Sequence, residues 1–333
     1  MPHPQRIAVI DVSHWHARYD AAYLKILRDL RLQIVGVSDR DAEVARQCAD
    51  EFDSRPFDDY RAMVEESRPE FVIALGRHCD MPETFRYLVD RGIPFVMEKP
   101  WGMEAETVAA LADLAEAKGA WAAAPFMIRY LPWAQTAKRM RASGEFGTIS
   151  HIVFRMIRPT MQRYHDWGSP WMYDRAAAGG GALTNLGPHG MDIARFITGE
   201  EPEVLSAVIS QAVHKAAVED YALATLRTPS GIIVHNEVGY TMPTWPKNSS
   251  DLEQKVAGAK AMLELVPEGL HILTPDRDEV IPAESSFAPG YPLTIRHFLE
   301  ALGAGNPPPV TARDCARAVQ LIHDAYRLAG RAA

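Results

Sequence analysis

Along the first 124 residues, short apolar runs alternate with longer segments whose apolar residues recur every three or four positions. The runs Ile7 to Ile10, Gln33 to Ser38, Phe71 to Leu75, Pro94 to Lys99 and Trp121 to Ala124 read as strands. Between the first two, Tyr19, Ala22, Tyr23, Ile26, Leu27 and Leu30 fall on one face of a helix. Helices are also predicted over Asp41 to Phe52, Pro82 to Asp90 and Glu104 to Lys118. Strand-helix alternation with short turns predicts an α/β fold on a parallel, doubly wound sheet, with residues 1–124 as one domain.

Beyond residue 124 the rhythm changes. A helix over Pro132 to Ser143 leads into segments rich in β-branched and aromatic residues: Ile149 to Ile157, Val204 to Val213, Tyr221 to Leu226, Ile232 to Tyr240, Ala261 to Val266 and Leu270 to Leu273. Thr228-Pro229-Ser230-Gly231 is a turn between two of them, so neighbouring strands are expected to run antiparallel. Residues 125–333 read as an α+β domain on a large, mainly antiparallel sheet. It closes with helices Tyr291 to Leu302, after which the breaker run Gly303 to Pro309 intervenes, and Ala312 to Leu328; the last helix is expected to pack back on the first domain. The stretch Thr241 to Asp251, with two prolines and a tryptophan, reads as a loop.

Composition narrows the class. With 47% hydrophobic and 23% charged residues, the chain has the balance of a globular protein, and no apolar run approaches the ~18 residues of a membrane span. The first residues carry no secretory signal, which implies a cytoplasmic protein. A net charge of −8 disfavours nucleic acid as a partner. Cys48, Cys79 and Cys315 are far apart and form no C-x-x-C pair, so neither a disulfide framework nor a zinc cluster is expected.

Three stretches carry candidate chemistry. At the end of the first strand, "VIDVSHWHARYD" sets Asp11, Ser13 and His16 at the three places of a glycine-rich dinucleotide turn. No glycine is present, but the context is that of such a turn: a strand before, a helix after, and Asp39 closing a second strand 28 residues on. An acid there accepts hydrogen bonds from a ribose diol and repels a 2′-phosphate, favouring NAD, while Arg40 beside it keeps NADP open. The same Asp-x-x-His-x-His run is also compatible with a metal site of the kind that opens some barrel hydrolases. Strand-helix alternation does not continue into the second half, which speaks against a barrel, and no metal is expected.

The second stretch, "FVMEKPW", holds Lys99 at a strand end, where open α/β sheets bind ligands and a lysine can polarise a substrate hydroxyl. In the third, "AGGGALTNLGPHGMDIARFITG", three glycines precede Asn185, His189 and Asp192, spaced to share one helix face, and His189 suits acid-base work on a hydroxyl.

Together with "VGVSDRD", the segment from Phe126 with Arg129 ahead of "SGEFGTI", "EDYALATLRTPSGII" and "PLTIRHFLEAL", these stretches resemble the Gfo/Idh/MocA family of nicotinamide-dependent oxidoreductases over essentially the whole chain. The resemblance implies an N-terminal Rossmann domain that binds NAD(P), and a second domain whose sheet forms homodimers or homotetramers. It implies hydride transfer between NAD, or NADP, and a secondary alcohol or ketone of a sugar, cyclitol or related polyol. Lys99 and His189 would be the catalytic pair with Asn185 beside them; many relatives have aspartate at that place, and an amide cannot accept the proton. Cofactor-binding residues would be Val12, Ser13, His14, Trp15, His16, Asp39, Arg40, Leu75, Gly76, His78, Glu98, Lys99 and Arg129, with His14 and His16 as phosphate donors. Lys99, Tyr173, Asn185, His189 and Trp245 would bind substrate, with specificity in Met161 to Tyr173 and Thr241 to Asp251. The departures at the turn and at Asn185 leave a second reading: a non-catalytic, cofactor-sensing binding protein on the same fold.

Overall fold

The computed structural model describes residues 4–330, and the statements below concern these. Among them, fourteen strands make two sheets, one in each of two compact units. The first unit comprises the chain up to Pro125 together with Tyr164–Gly179 and Tyr291–Ala316; the second comprises Phe126–Arg163, Gly180–Gly290 and the chain from Arg317.

The first unit is built on β1 (Arg6–Ile10), β2 (Gln33–Ser38), β3 (Pro56–Phe57), β4 (Phe71–Ala74), β5 (Phe95–Met97) and β6 (Ala122–Ala123). All pair in parallel, in the order β3-β2-β1-β4-β5-β6. Strand order reverses between β1 and β4, and ligands of such sheets bind at the carboxyl ends of the strands beside that reversal. β1, β4 and β5 bury nearly every side chain, as strands covered on both faces must.

The helices Ala42–Phe52, Met81–Asp90 and Ala105–Lys118 agree with the pattern to within a residue or so, and Asp41 caps the first by accepting from Glu43 N at 2.9 Å. The helix expected across Tyr19 to Leu30 is shorter, Tyr23–Asp29, and a four-residue turn of helix, Trp15–Arg18, precedes it. Before Pro125, two further elements had no expectation: β3, only two residues long, and the helix Tyr60–Ser67.

The two later segments bind to this unit by identifiable bonds. Ser169 Oγ donates to Ser13 O at 3.0 Å, Cys79 N to Ala177 O at 3.1 Å, and Trp121 Nε1 to Asn306 O at 2.9 Å. Arg313 reaches Asp113 at 2.8 Å and Glu116 at 2.9 Å.

The second unit carries β7 (Ile149–Pro159), β8 (Glu203–Ser210), β9 (Tyr221–Arg227), β10 (Ile233–Met242), β11 (Asp251–Gly258), β12 (Met262–Val266), β13 (Gly269–Thr274) and β14 (Arg277–Pro282). Their order is β14-β13-β12-β11-β7-β10-β9-β8, antiparallel except for the parallel pair of β7 and β10. β11 and β14 were not anticipated. "DLEQKVAG" buries only Gln254 and Val256 fully, and "RDEVIP" is exposed throughout, so neither has an apolar face to announce it.

The helix Ala182–Thr198 packs on this sheet, and Gly190 lets it come close: a Cβ there would lie 2.2 Å from Asn236 Oδ1. Asn236 fixes the approach by donating Nδ2 to Gly187 O at 2.9 Å.

Candidate active site

In the first unit the turn after β1 begins at Asp11, whose φ of 56° is the left-handed conformation that the first fingerprint glycine would otherwise supply. The three amides that follow are held within the protein: Val12 N donates to Ser38 O at 3.1 Å, Ser13 N to Asp39 Oδ2 at 2.6 Å, and His14 N to Asp11 O at 3.1 Å. Asp39, at the end of β2 and 1% exposed, also accepts Asp41 N on Oδ1 at 3.0 Å.

The rings of the turn point into the unit. His14 stacks on Trp15 with centroids 3.8 Å apart, and Trp171 lies 5.9 Å from the first and 5.6 Å from the second. His14 Nδ1 accepts His16 N at 3.1 Å, and burial, then the neighbouring His16, drive its pKa well below the usual range. His16 Nδ1 sits 2.9 Å from Glu98 Oε1, the oxygen that also accepts Tyr23 OH at 2.6 Å. The two imidazoles placed by sequence at a phosphate or a metal are therefore occupied with interior partners, and neither converges with Asp11 on a common point.

Glu98 and Lys99 follow β5 and are 2% and 3% exposed. Burial raises the Glu98 carboxyl, but the adjacent His16 and Lys99 hold it below its ordinary value; burial lowers Lys99, opposed by Glu98. At the end of β4, Leu75 N donates to Ile10 O at 3.2 Å, and Gly76, at φ 130°, leaves room for Asp11: a Cβ there would meet Asp11 Oδ2 at 2.6 Å. His78 is fully buried, Nδ1 within 2.7 Å of Ala178 O, its ring 5.1 Å from Trp171.

Beside these strand ends lies a cavity of about 220 Å³, lined by Asp11, Ser38, Asp39, Arg40, Tyr60 and Asp80 among others. The lining tests the dinucleotide expectation. Asp39 retains lone pairs beyond the two amides it accepts, which suits a ribose diol. Arg40 Nη2 is taken by Asp80 Oδ2 at 2.6 Å, and Asp58, Asp59 and Glu83 add negative charge, so the donor set fits NAD and disfavours a 2′-phosphate. Tyr173 closes a short helical turn in this unit, half-buried.

The second unit holds the other constellation. Asn185, His189 and Asp192 lie on the helix Ala182–Thr198 and are 3%, 5% and 1% exposed. Asn185 Nδ2 donates to Tyr240 OH at 2.9 Å, and the His189 ring meets Phe126 edge-on at 6.1 Å. Arg129, expected to meet cofactor, forks onto Asp192 through Nε and Nη2. Trp245 sits half-buried in the connection from β10 to β11.

Sequence reasoning missed Glu219. Fully buried, its Oε1 accepts Gly181 N at 2.8 Å, Leu183 N at 2.9 Å and Tyr326 OH at 2.6 Å, pinning the start of the helix that carries Asn185 and His189. The signal was present in "EDYALATL", but Tyr326, 107 residues away, left none. Among the described residues no group of three His, Cys, Asp or Glu side chains is arranged to hold a metal ion.

Comparison with known proteins places this geometry. The profile of the oxidoreductase family with an NAD-binding Rossmann fold matches residues 6–124, and that of the GFO/IDH/MocA C-terminal domain matches residues 134–264. A trans-1,2-dihydrobenzene-1,2-diol dehydrogenase of Bos taurus is 24% identical over 73% of this chain and 69% of its own length. A myo-inositol dehydrogenase of Streptomyces leeuwenhoekii is 26% identical over 74% and 73%. Among solved structures, an Agrobacterium radiobacter oxidoreductase in complex with NAD+, L-tartaric acid and magnesium superposes with a TM-score of 0.85 at 18% identity, covering 98% of this chain and 96% of that one. Levoglucosan dehydrogenase in complex with NADH and levoglucosan superposes at 0.83 and 17%, with the same coverage. With both family profiles matched in order and both sheets in place, the chain belongs to the GFO/IDH/MocA family of oxidoreductases.

Proposed function

We propose that this protein is an NAD-dependent dehydrogenase acting on a secondary alcohol, or the matching ketone, of a sugar, cyclitol or related polyol. The observation that carries the reading is Lys99, a buried amine at the carboxyl edge of a parallel sheet whose β2 is followed directly by the buried Asp39. Diol, inositol and anhydrosugar dehydrogenases among the similar proteins support the substrate class.

Bound NAD+ supplies the hydride acceptor. Asp39 would accept the ribose hydroxyls, with Arg40, Leu75, Gly76 and the Val12–His16 turn shaping the rest of that pocket. Lys99 would donate to the substrate oxygen; burial lowers its pKa, which eases proton exchange with that oxygen. His189 would take the hydroxyl proton, and Asn185, Tyr173 and Trp245 would orient the polyol. Arg129, bonded to Asp192, would brace the helix of His189.

The test is titration of the purified protein with NAD+ and NADP+, then a polyol panel followed at 340 nm. NAD+ binding with turnover is expected, and His189→Asn should cut kcat by about 10²- to 10⁴-fold with NAD+ affinity unchanged. Binding without turnover on any polyol would replace the enzyme by a cofactor sensor, and binding of neither nucleotide would overturn both. We further propose a cytoplasmic homodimer or homotetramer formed through the second sheet, whose outer strands β8 and β14 leave Leu205, Val208, Val280 and Ile281 exposed. No described helix is long and apolar enough to cross a membrane. A monomeric mass in light scattering would overturn the assembly.

A further inference from the structure

The turn of a dinucleotide fold meets two negative charges of a pyrophosphate, yet here its first position is an aspartate. We propose that Asp11 couples capture of the NAD pyrophosphate to the uptake of one proton. The inference rests on the NAD-binding reading above and concerns how that site is regulated.

Four observations support it. First, the left-handed backbone at Asp11 is the one the first glycine would adopt, so the turn is kept and only the side chain is added. Second, the side chain points along the site: Oδ2 lies against Gly76 at the end of β4, and Asp11 lines the same cavity as Asp39.

Third, the charges facing Asp11 do not neutralise it. From the end of β2 come Asp39 and Arg40; from the loop after β4 come Arg77 and Asp80. Both arginines are committed to Asp80, Arg40 at 2.6 Å and Arg77 at 2.7 Å. Asp39 accepts the amides of Ser13 and Asp41 on its two carboxylate oxygens. Fourth, burial and the neighbouring Asp39 push the Asp11 carboxyl up to about 7, with Asp80 adding to the rise.

A diphosphate brought to the turn repels an ionised Asp11 and not a protonated one. Above neutrality the free protein must take up a proton at Asp11 to bind; below it, the proton is already there. Affinity for the cofactor therefore falls as pH rises through the titration of this carboxyl.

Calorimetric titration of the full-length protein with NAD+, in pairs of buffers of different ionisation enthalpy, reads the proton count directly. Uptake approaching one proton is expected at pH 8 and close to none at pH 6, with affinity falling about tenfold between pH 7.5 and 8.5. Asp11→Asn, which keeps the shape without the charge, and Asp11→Gly, which suits the left-handed backbone, should both abolish the uptake and flatten the profile. Tight NAD+ binding without proton uptake, or uptake that persists in Asp11→Asn, would overturn the coupling alone. Failure of both the wild type and Asp11→Gly to bind NAD+ from pH 6 to 8.5 would overturn the coupling together with the NAD-binding reading.

Discussion

Arg129 and Asp192 form a two-point hydrogen-bonded pair, Nε to Oδ2 at 2.8 Å and Nη2 to Oδ1 at 2.5 Å, with side chains 11% and 2% exposed. Removing one partner strands a buried charge, so Asp192→Ala should cost about 3–5 kcal/mol of stability. Replacing both at once, Arg129→Met with Asp192→Leu, should recover most of that loss. Urea unfolding of the two single variants and the double variant checks it. Single variants as stable as the wild type would mean that the pair contributes nothing.

Glu219 ties the start of the helix Ala182–Thr198 to the end of the chain through Tyr326, whose hydroxyl also bonds Thr184 Oγ1 at 2.8 Å. Tyr326→Phe deletes that hydroxyl and leaves the amide bonds in place, so it should cost about 1–2 kcal/mol. Glu219→Ala leaves the N–H groups of Gly181 and Leu183 buried without acceptors and should cost more, about 3 kcal/mol or above. Thermal melts of the two variants give the order; the reverse order would sink the assignment of Glu219 as the anchor.

His78 gives the fold an acid sensitivity of definite sign. Burial lowers its pKa to about 3, against the partial support of the Ala178 carbonyl, whereas an unfolded histidine titrates near 6.5. Between those values the unfolded chain binds the extra proton. The contribution is therefore full above pH 6.5 and lost as pH falls, by about 2 kcal/mol at pH 5. His78→Asn can still donate to Ala178 O and has nothing to titrate, so the stability difference between pH 7.5 and 5 should shrink by that amount.

Asp39 has two tasks, holding Ser13 N and facing the cavity. Asp39→Ala should weaken NAD+ by about 10- to 100-fold, the worth of hydrogen bonds to a charged acceptor, and narrow its advantage over NADP+. Fluorescence titration with both nucleotides measures the ratio. An unchanged preference would move the specificity to Asp58, Asp59 and Asp80.

The fold was legible where burial is uniform. "IAVI", "FVIA" and "FVM" are apolar because both faces of a parallel strand are covered, and the helix Ala42–Phe52 announces itself by stripe and cap. β14 was illegible because an outer strand with every side chain exposed has no apolar alternation. Of the candidate residues, Lys99, His189, Asn185 and Asp39 were findable as motif positions. What no motif could give was direction: that His16 turns to Glu98, 75 residues beyond the nearby Tyr23 that shares the same oxygen, or that Arg129 meets Asp192, 63 residues on. Such partners are set by the closure of the fold, and local spacing carries no record of them.

The segment Tyr291–Ala316, bound to the first unit through Asn306, Val310 and Arg313, also fixes an order of assembly. β6 is two residues long and lies at the edge of the parallel sheet, where Ala124 N reaches Val310 O and Trp121 reaches Asn306 O. On a ribosome, the first unit therefore waits until Asn306 and Val310 have been made before the edge at β6 is covered. A nascent chain stopped at residue 290 carries every strand of that sheet with Trp121 still uncapped, and this is the stage at which a chaperone has most to shield.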